Sequence, residues 1–315
     1  VKQILFLSAV LLLALTGSAQ KKIRLNDHWE FFKQDIGGIW EAVRPVGKGN
    51  PESVPLWENV SLPHCVNAID AVDPDVNYYQ GPSWYRTQLS IKNPYENGRT
   101  LLHFEGAGQK TDVYIYTTKV GSHVGGYDEW TIDITDAVNE FEKSETFQKQ
   151  FTGKIPLSIR VDNSRDLEMI PSSLSDFNIY GGIYRYLNLI YQPAVSFAHL
   201  LVKTETDKEG KTGDVQVRGV IRNPGRIDVG DVFIRLFDPS GKLIQQKQVN
   251  VNVTNDTITL ASFLVKKPQV WSPDQPFLYT VEATLKTSAG ESKHEEKIGF
   301  RNFEFVNKGP FLLNG

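Results

Sequence analysis

The sequence predicts an all-β protein made of two consecutive β-sandwiches, and three observations carry that prediction. Apolar and polar residues alternate in many short runs, which is the period of a half-buried strand. Clusters of Gly, Pro, Asn and Asp separate those runs at short intervals. Only one stretch, Thr135 to about Phe147, has a helical pattern, with Thr135 or Asp136 as its cap. A chain of 315 residues exceeds one comfortable core, so two domains are expected.

In chain order, residues 1–19 come first. Lys2 is followed by an apolar run from Ile4 to Leu15, broken by Ser8, and then by Gly17-Ser18-Ala19. Charge, short apolar segment and small residues in that order make a secretory signal peptide, cut after Ala19. The run is too short for a comfortable membrane span. The mature chain is expected to be exported, periplasmic or secreted. Its single Cys65 has no partner for an internal disulfide and reads as packing.

Residues 20–192 read as a two-sheet jelly roll. Strands are expected over Trp84–Ile91, Thr100–Phe104, Thr111–Thr117, Ile155–Val161 and Tyr184–Tyr191. Turn chemistry lies between them at Asn93-Pro94, Asn97-Gly98, Gly106 to Gly108, Gly125-Gly126 and Asp162-Asn163. The stretch Asp176 to Ile190 organises this domain. Gly181-Gly182 can turn the chain where other residues are disfavoured, and Tyr184, Tyr186 and Ile190 then alternate with Arg185, Leu187 and Leu189. Asp176 and Asn178 fall on a loop before that strand, where a rigid scaffold can hold polar groups for a ligand. The plainer reading is a turn with capping polar residues.

Residues 193–301 change texture. Val215 and Val217, then Val232, Ile234 and Leu236, then Val249 and Val251, then Tyr279, Val281, Ala283 and Leu285 alternate with polar neighbours. Asp238-Pro-Ser-Gly241 is a type I turn signal. About seven strands in about 110 residues is the rhythm of an immunoglobulin-like sandwich. Such a domain is a spacer or scaffold. Net charge is only −3 with no basic block, which argues against nucleic acid as a partner. Aromatics make up 11% of the chain, which suits a sugar-handling surface and a large β core alike.

Five segments together resemble the N-terminal half of glycoside hydrolase family 2, the family of β-galactosidases and β-glucuronidases. They are Leu62 to Asn67 (LPHCVN), Tyr79 to Arg86 (YQGPSWYR), and the run from Phe104 through Val120–Tyr127 (VGSHVGGY) to Thr135. The fourth is Gly181 to Arg185 (GGIYR). The last is Trp271 to Tyr279 (WSPDQPFLY) with Gly299–Arg301 and Phe311 to Gly315 (FLLNG). The resemblance implies a galactose-binding-like jelly roll, an immunoglobulin-like domain, and then a catalytic TIM barrel whose first residues are 302–315. An Asn-Gly turn needs a following strand, so the end of the chain reads as a truncation before that barrel.

The family's chemistry uses two carboxylates flanking the glycosidic bond, one as nucleophile and one as acid/base. The family carries both in the barrel, so no catalytic residue is assigned to this chain. Glu105, Glu129 and Glu168 read as solvated or structural. In family members an Asp just before the G-I-[YFH]-R element contacts the sugar, and that position here is Asp176. An Asn or Asp from the loop before the Trp-Tyr-Arg strand often assists. The candidates are Asn67, Asp70, Asp73 and Asn77, with Asn67 and Asp73 preferred, and Asn178 is added from the first loop. No metal is assigned: His64 and His123 lack ligand spacing. The resemblance implies no cofactor in this chain and leaves room for sodium or magnesium in the full enzyme. Trp84 is expected in the core, Arg185 in an ion pair, and Trp271 at the domain junction. Tyr116-Thr117 stands where the family commonly has Asn-Gly, so that hairpin must use another turn.

The function implied is the N-terminal part of an exported retaining β-glycosidase, with β-galactosidase as the main reading. The alternatives are β-glucuronidase, a non-catalytic carbohydrate-binding module, or an adhesion spacer. The implied partners are a β-galactoside-type carbohydrate, the barrel of the same polypeptide and a homo-oligomer.

Overall fold

The computed structural model describes residues 21–44, 57–70, 72–73, 75–172, 174, 177–223, 229–252 and 257–315. The expected signal peptide and Asp176 lie outside the described residues. The chain divides into two compact units, Gln20–Ala194 and one from Val195 to Gly315.

The first unit holds ten strands and three short helices among its described residues. In chain order these are β1 (Lys21–Arg24), β2 (Trp29–Phe32), α1 (Ile39–Val43), β3 (Glu58–Val60), β4 (Pro82–Leu89), β5 (Arg99–Phe104), β6 (Lys110–Ile115) and β7 (Thr118–Val124). Then follow β8 (Trp130–Asp133), α2 (Thr135–Glu142), α3 (Glu145–Lys149), β9 (Ile155–Asp162) and β10 (Leu187–Gln192). They form a four-stranded sheet β1-β10-β5-β8 and a six-stranded sheet β3-β2-β4-β9-β6-β7, paired antiparallel throughout. Strand periodicity builds the core: Ile155, Leu157, Ile159 and Val161 of β9 join Trp29, Tyr85, Leu102, Phe104 and Leu187 in one buried cluster. Phe104 stacks on Trp130 with ring centroids 4.0 Å apart. Trp84 points to the other face of its strand and is buried with Ile36 and Ala42, its indole N–H donating to Asp35 Oδ1 at 3.2 Å.

Several local expectations need correction. The helical stretch is two helices, because the Ser144 hydroxyl accepts from the Phe147 N–H and starts α3 anew. Thr135 does not cap α2; its hydroxyl accepts from the Thr100 N–H at 2.9 Å and ties the helix to β5. Helix α1 was not foreseen, since five residues carry no readable period. The last strand starts at Leu187, not Tyr184: the backbone from Gly181 to Tyr186 is hydrogen-bonded to its neighbours but forms no regular ladder, with one isolated bridge from Gly182 to Gly108. The β6–β7 hairpin puts Tyr116 itself in the left-handed region, at φ 52°, the conformation an Asn would adopt more easily. Its ring packs on Phe141 and Phe151, centroids 5.0 and 5.8 Å away. Arg185 makes no ion pair among the described residues; it is exposed, and its N–H donates to the Gly106 carbonyl at 3.3 Å.

The second unit contains β11 (Ser196–Thr206), β12 (Thr212–Arg222), β13 (Val229–Phe237), β14 (Leu243–Asn252), β15 (Thr257–Lys266), β16 (Tyr279–Thr287) and β17 (Gly290–Ile298). Sheet β11-β12-β15 and sheet β14-β13-β16-β17 bury Val217, Ile234, Phe263, Val281 and Phe300 in one cluster. The Asp238 turn is as the sequence reads it. Its carboxylate accepts from the Ser240 and Lys242 N–H groups at 2.9 and 3.0 Å, and the Gly241 N–H donates to the Asp238 carbonyl. A hairpin of β18 (Phe303–Phe305) and β19 (Phe311–Leu313) follows. Asn314 then reaches back, donating to the Trp271 carbonyl and accepting from the Asn302 N–H, each at 3.0 Å. Among the described residues no helix is long and apolar enough to cross a membrane.

Candidate functional site

The site is assembled from the loop before β4 and the segment between β9 and β10. Each loop needs outside help, because its backbone polar groups lie at the end of a sandwich with no ladder to satisfy them. Three buried polar side chains supply it. Asn67, with no solvent exposure, donates through Nδ2 to the Ile179 carbonyl at 2.9 Å and to Asn178 Oδ1 at 3.0 Å. Its Oδ1 accepts from the Gly181 N–H at 3.0 Å. Asn163 donates to the Tyr79 and Ile179 carbonyls at 2.8 and 2.9 Å and accepts from the Gly81 N–H at 3.0 Å. Asp70, also buried, accepts from the Tyr79 N–H at 2.7 Å and closes the loop between them.

The glycine pair makes this approach feasible. A Cβ on Gly181 would lie 2.8 Å from the Asn163 side chain. Gly182 has φ +97°, and a Cβ there would meet the Tyr85 hydroxyl at 2.5 Å and the His64 carbonyl at 2.7 Å. The backbone around them is stitched by His64 N–H to Ile183 O at 2.8 Å and Val66 N–H to Gly181 O at 3.0 Å.

The candidate residues therefore separate. Asn67 and Asn178 are brought together, but Asn67 is sealed in and all of its amide is taken up by the protein. It holds the segment from Asn178 to Gly181 in place and presents no exposed atom. Asn178 is half-buried. Its Oδ1 is fixed by Asn67, which turns its Nδ2 the other way, and that nitrogen has no hydrogen-bond partner within the protein. Asp73 is half-exposed, and its carboxylate accepts from the Asp75 N–H at 3.0 Å. Asn77 is exposed. Asp176 lies outside the described residues. The aromatic rings of Tyr78, Phe177 and Tyr180 stand exposed on the two loops. Asn163 was missed as a site residue: Asp162-Asn163 reads as a turn, and nothing in its neighbourhood signals a buried amide.

Three groups nearby, Tyr184, His64 and Cys65, have their neutral forms favoured. Burial pushes the Tyr184 phenol up to about 12, with Tyr127 adding to it. Burial lowers His64 and raises the Cys65 thiol, so neither an imidazolium nor a thiolate is favoured. Among the described residues no group of three or more His, Cys, Asp or Glu is arranged to hold a metal ion. A cavity of about 490 Å³ on the outer face of the six-stranded sheet, lined by Glu30, Arg86 and Ser158, lies elsewhere. Its Arg86 is already committed to Glu30, to the Ala42 carbonyl and to the Trp57 ring. The loop cluster is thus a preorganised surface of polar and aromatic groups.

Comparison with known proteins fits this description. The model "Glycosyl hydrolases family 2, sugar binding domain" matches residues 41–193, and "Glycosyl hydrolases family 2" matches residues 195–301. The chain belongs to glycosyl hydrolase family 2. A crystal structure of Parabacteroides merdae β-glucuronidase is 55% identical, covers 94% of this chain and superposes with a TM-score of 0.88. Bacteroides uniformis β-glucuronidase 3 is 52% identical over 94% of this chain, with a TM-score of 0.83. A β-galactosidase of Thermoanaerobacterium thermosulfurigenes is 26% identical over 94% of this chain. The family 2 chain described here spans only 38%, 37% and 39% of those three proteins.

Proposed function

We propose that this chain is the N-terminal part of an exported retaining β-glycosidase that removes terminal β-linked glucuronic acid. Its two-loop cluster supplies contacts to the sugar. The observation that carries the reading is the 55% identity to a β-glucuronidase, against 26% to a β-galactosidase, over the same extent of chain. This replaces β-galactosidase as the main reading. The sugar-contact role rests on Asp176 and Asp73, since an ionised carboxylate accepts strongly from sugar hydroxyls, with Asn178 beside Asp176 on the same loop. The nucleophile, the acid/base and the groups that recognise the substrate carboxylate belong to a barrel of the same polypeptide. A sodium or magnesium ion and a homo-oligomeric assembly are further parts of the proposed enzyme.

The full-length protein should hydrolyse an aryl β-glucuronide with kcat/KM about 10²-fold or more above that for the matching galactoside, because unpaired buried polar groups penalise the wrong sugar. Equal or reversed preference would return the reading to β-galactosidase, and no turnover of either would leave a binding module. Export rests on the charged, apolar and small-residue order of residues 1–19. N-terminal sequencing of the protein from its source cells should begin at Gln20; a retained leader would sink that part.

A further inference from the structure

We infer that Asn163 is a positioning residue for the sugar site, acting through the two loops it joins. The inference rests on the proposed glycosidase reading and adds a residue to it. Asn163 sits just past the end of β9, 99% buried, on the rigid six-stranded sheet. Its amide nitrogen is shared between the Tyr79 carbonyl of one loop and the Ile179 carbonyl of the other, and its oxygen takes the Gly81 N–H. One side chain therefore bridges, with two short bonds, segments that are 100 residues apart, at Tyr79 and Ile179. Exposed Tyr78 and Tyr180 are the immediate neighbours of those two carbonyls, and Asn178 precedes the second.

Asn67 holds Ile179 and Gly181 from the opposite loop, and its longer 3.4 Å approach to the Tyr79 carbonyl is the weaker of the two ties there. Without the Asn163 amide the Ile179 side stays tethered by Asn67 and Tyr79 stays bonded to Asp70, but the Tyr79–Gly81 side loses its short tie to the Ile179 segment. The expected result is a shift in loop spacing with the sandwich intact. Substrate contacts tolerate such a shift poorly, since a misplacement of about 1 Å can cost about 10²-fold in rate.

The test uses Asn163→Ala and the isosteric Asn163→Asp in the full-length protein, with aryl β-glucuronide as substrate and hydrogen exchange on the same samples. Asn163→Ala should speed exchange of the Gly81 amide and lower kcat/KM about 10- to 100-fold per folded molecule. The loss should appear mostly in KM with unaltered thermal cooperativity. Asn163→Asp keeps the acceptor for Gly81 and loses both donors, so kcat/KM should fall while Gly81 stays protected. It also supplies the reading if the alanine variant does not fold. Unchanged Gly81 exchange in Asn163→Ala, or kcat/KM within about twofold of wild type in both variants, would overturn the positioning role alone. A wild-type protein that cleaves no glycoside would overturn the glycosidase reading and the inference with it.

Discussion

Gly182→Ala is expected to destabilise the first unit by about 2–6 kcal/mol, the sum of backbone strain and overpacking. Two independent effects act at this position. The residue has φ +97°, where a side chain clashes with its own backbone. The added Cβ would also fall 2.7 Å from the His64 carbonyl and 2.5 Å from the hydroxyl of Tyr85, which is buried in the core. The carbonyl cannot retreat cheaply, because the neighbouring His64 N–H is bonded to Ile183 and the Gly182 carbonyl accepts from Gly108 at 3.1 Å. The measurement is the urea midpoint of the purified chain. A midpoint within experimental error of wild type would show that the segment can relax, and that the loop is not held as described.

Phe104→Ala should cost about 3–5 kcal/mol, the range for deleting a large buried aromatic side chain. Phe104 has no solvent exposure and ends β5, where it pairs with Leu187 on one side and Trp130 on the other. Its ring lies flat on Trp130, which in turn stacks on His123 at 4.8 Å. Removing it leaves a cavity and strips one face of the indole, so tryptophan fluorescence should change along with the loss of stability. Phe104→Leu keeps most of the volume and should recover a large part of the loss. A cost below about 1 kcal/mol for Phe104→Ala would mean that the site collapses around the gap, contrary to the close packing of this core.

Much of the architecture was written locally. The alternation in Ile155–Val161 and in Tyr279–Leu285 placed β9 and β16 correctly, because strand period depends only on neighbours two residues apart. The Asp238 turn was legible for the same reason: its donors are Ser240 and Lys242, two and four residues away. Where local signals competed, the reading slipped. The Tyr184–Tyr186 alternation was outweighed by the left-handed backbone at Gly182 and the bend at Arg185, and the Ser144 cap split a stretch that reads as one helix.

The loop cluster is a different matter. Residue types nominated Asp176 and Asn178, and the family resemblance gave Asp176 its role and nominated Asn67 and Asp73. Which of them faces inward was decided by partners far along the chain. Asn67 is sealed because Gly181, 114 positions away, donates to it, and Asn163 matters because Gly81 and Tyr79 lie 82 and 84 positions before it. Strands and turns are set by steric and hydrogen-bonding preferences within a few residues, so the sequence alone determined the two-sandwich plan. The role of a buried amide is set by which orphaned backbone groups the folded chain brings to it, and only the tertiary structure could decide that.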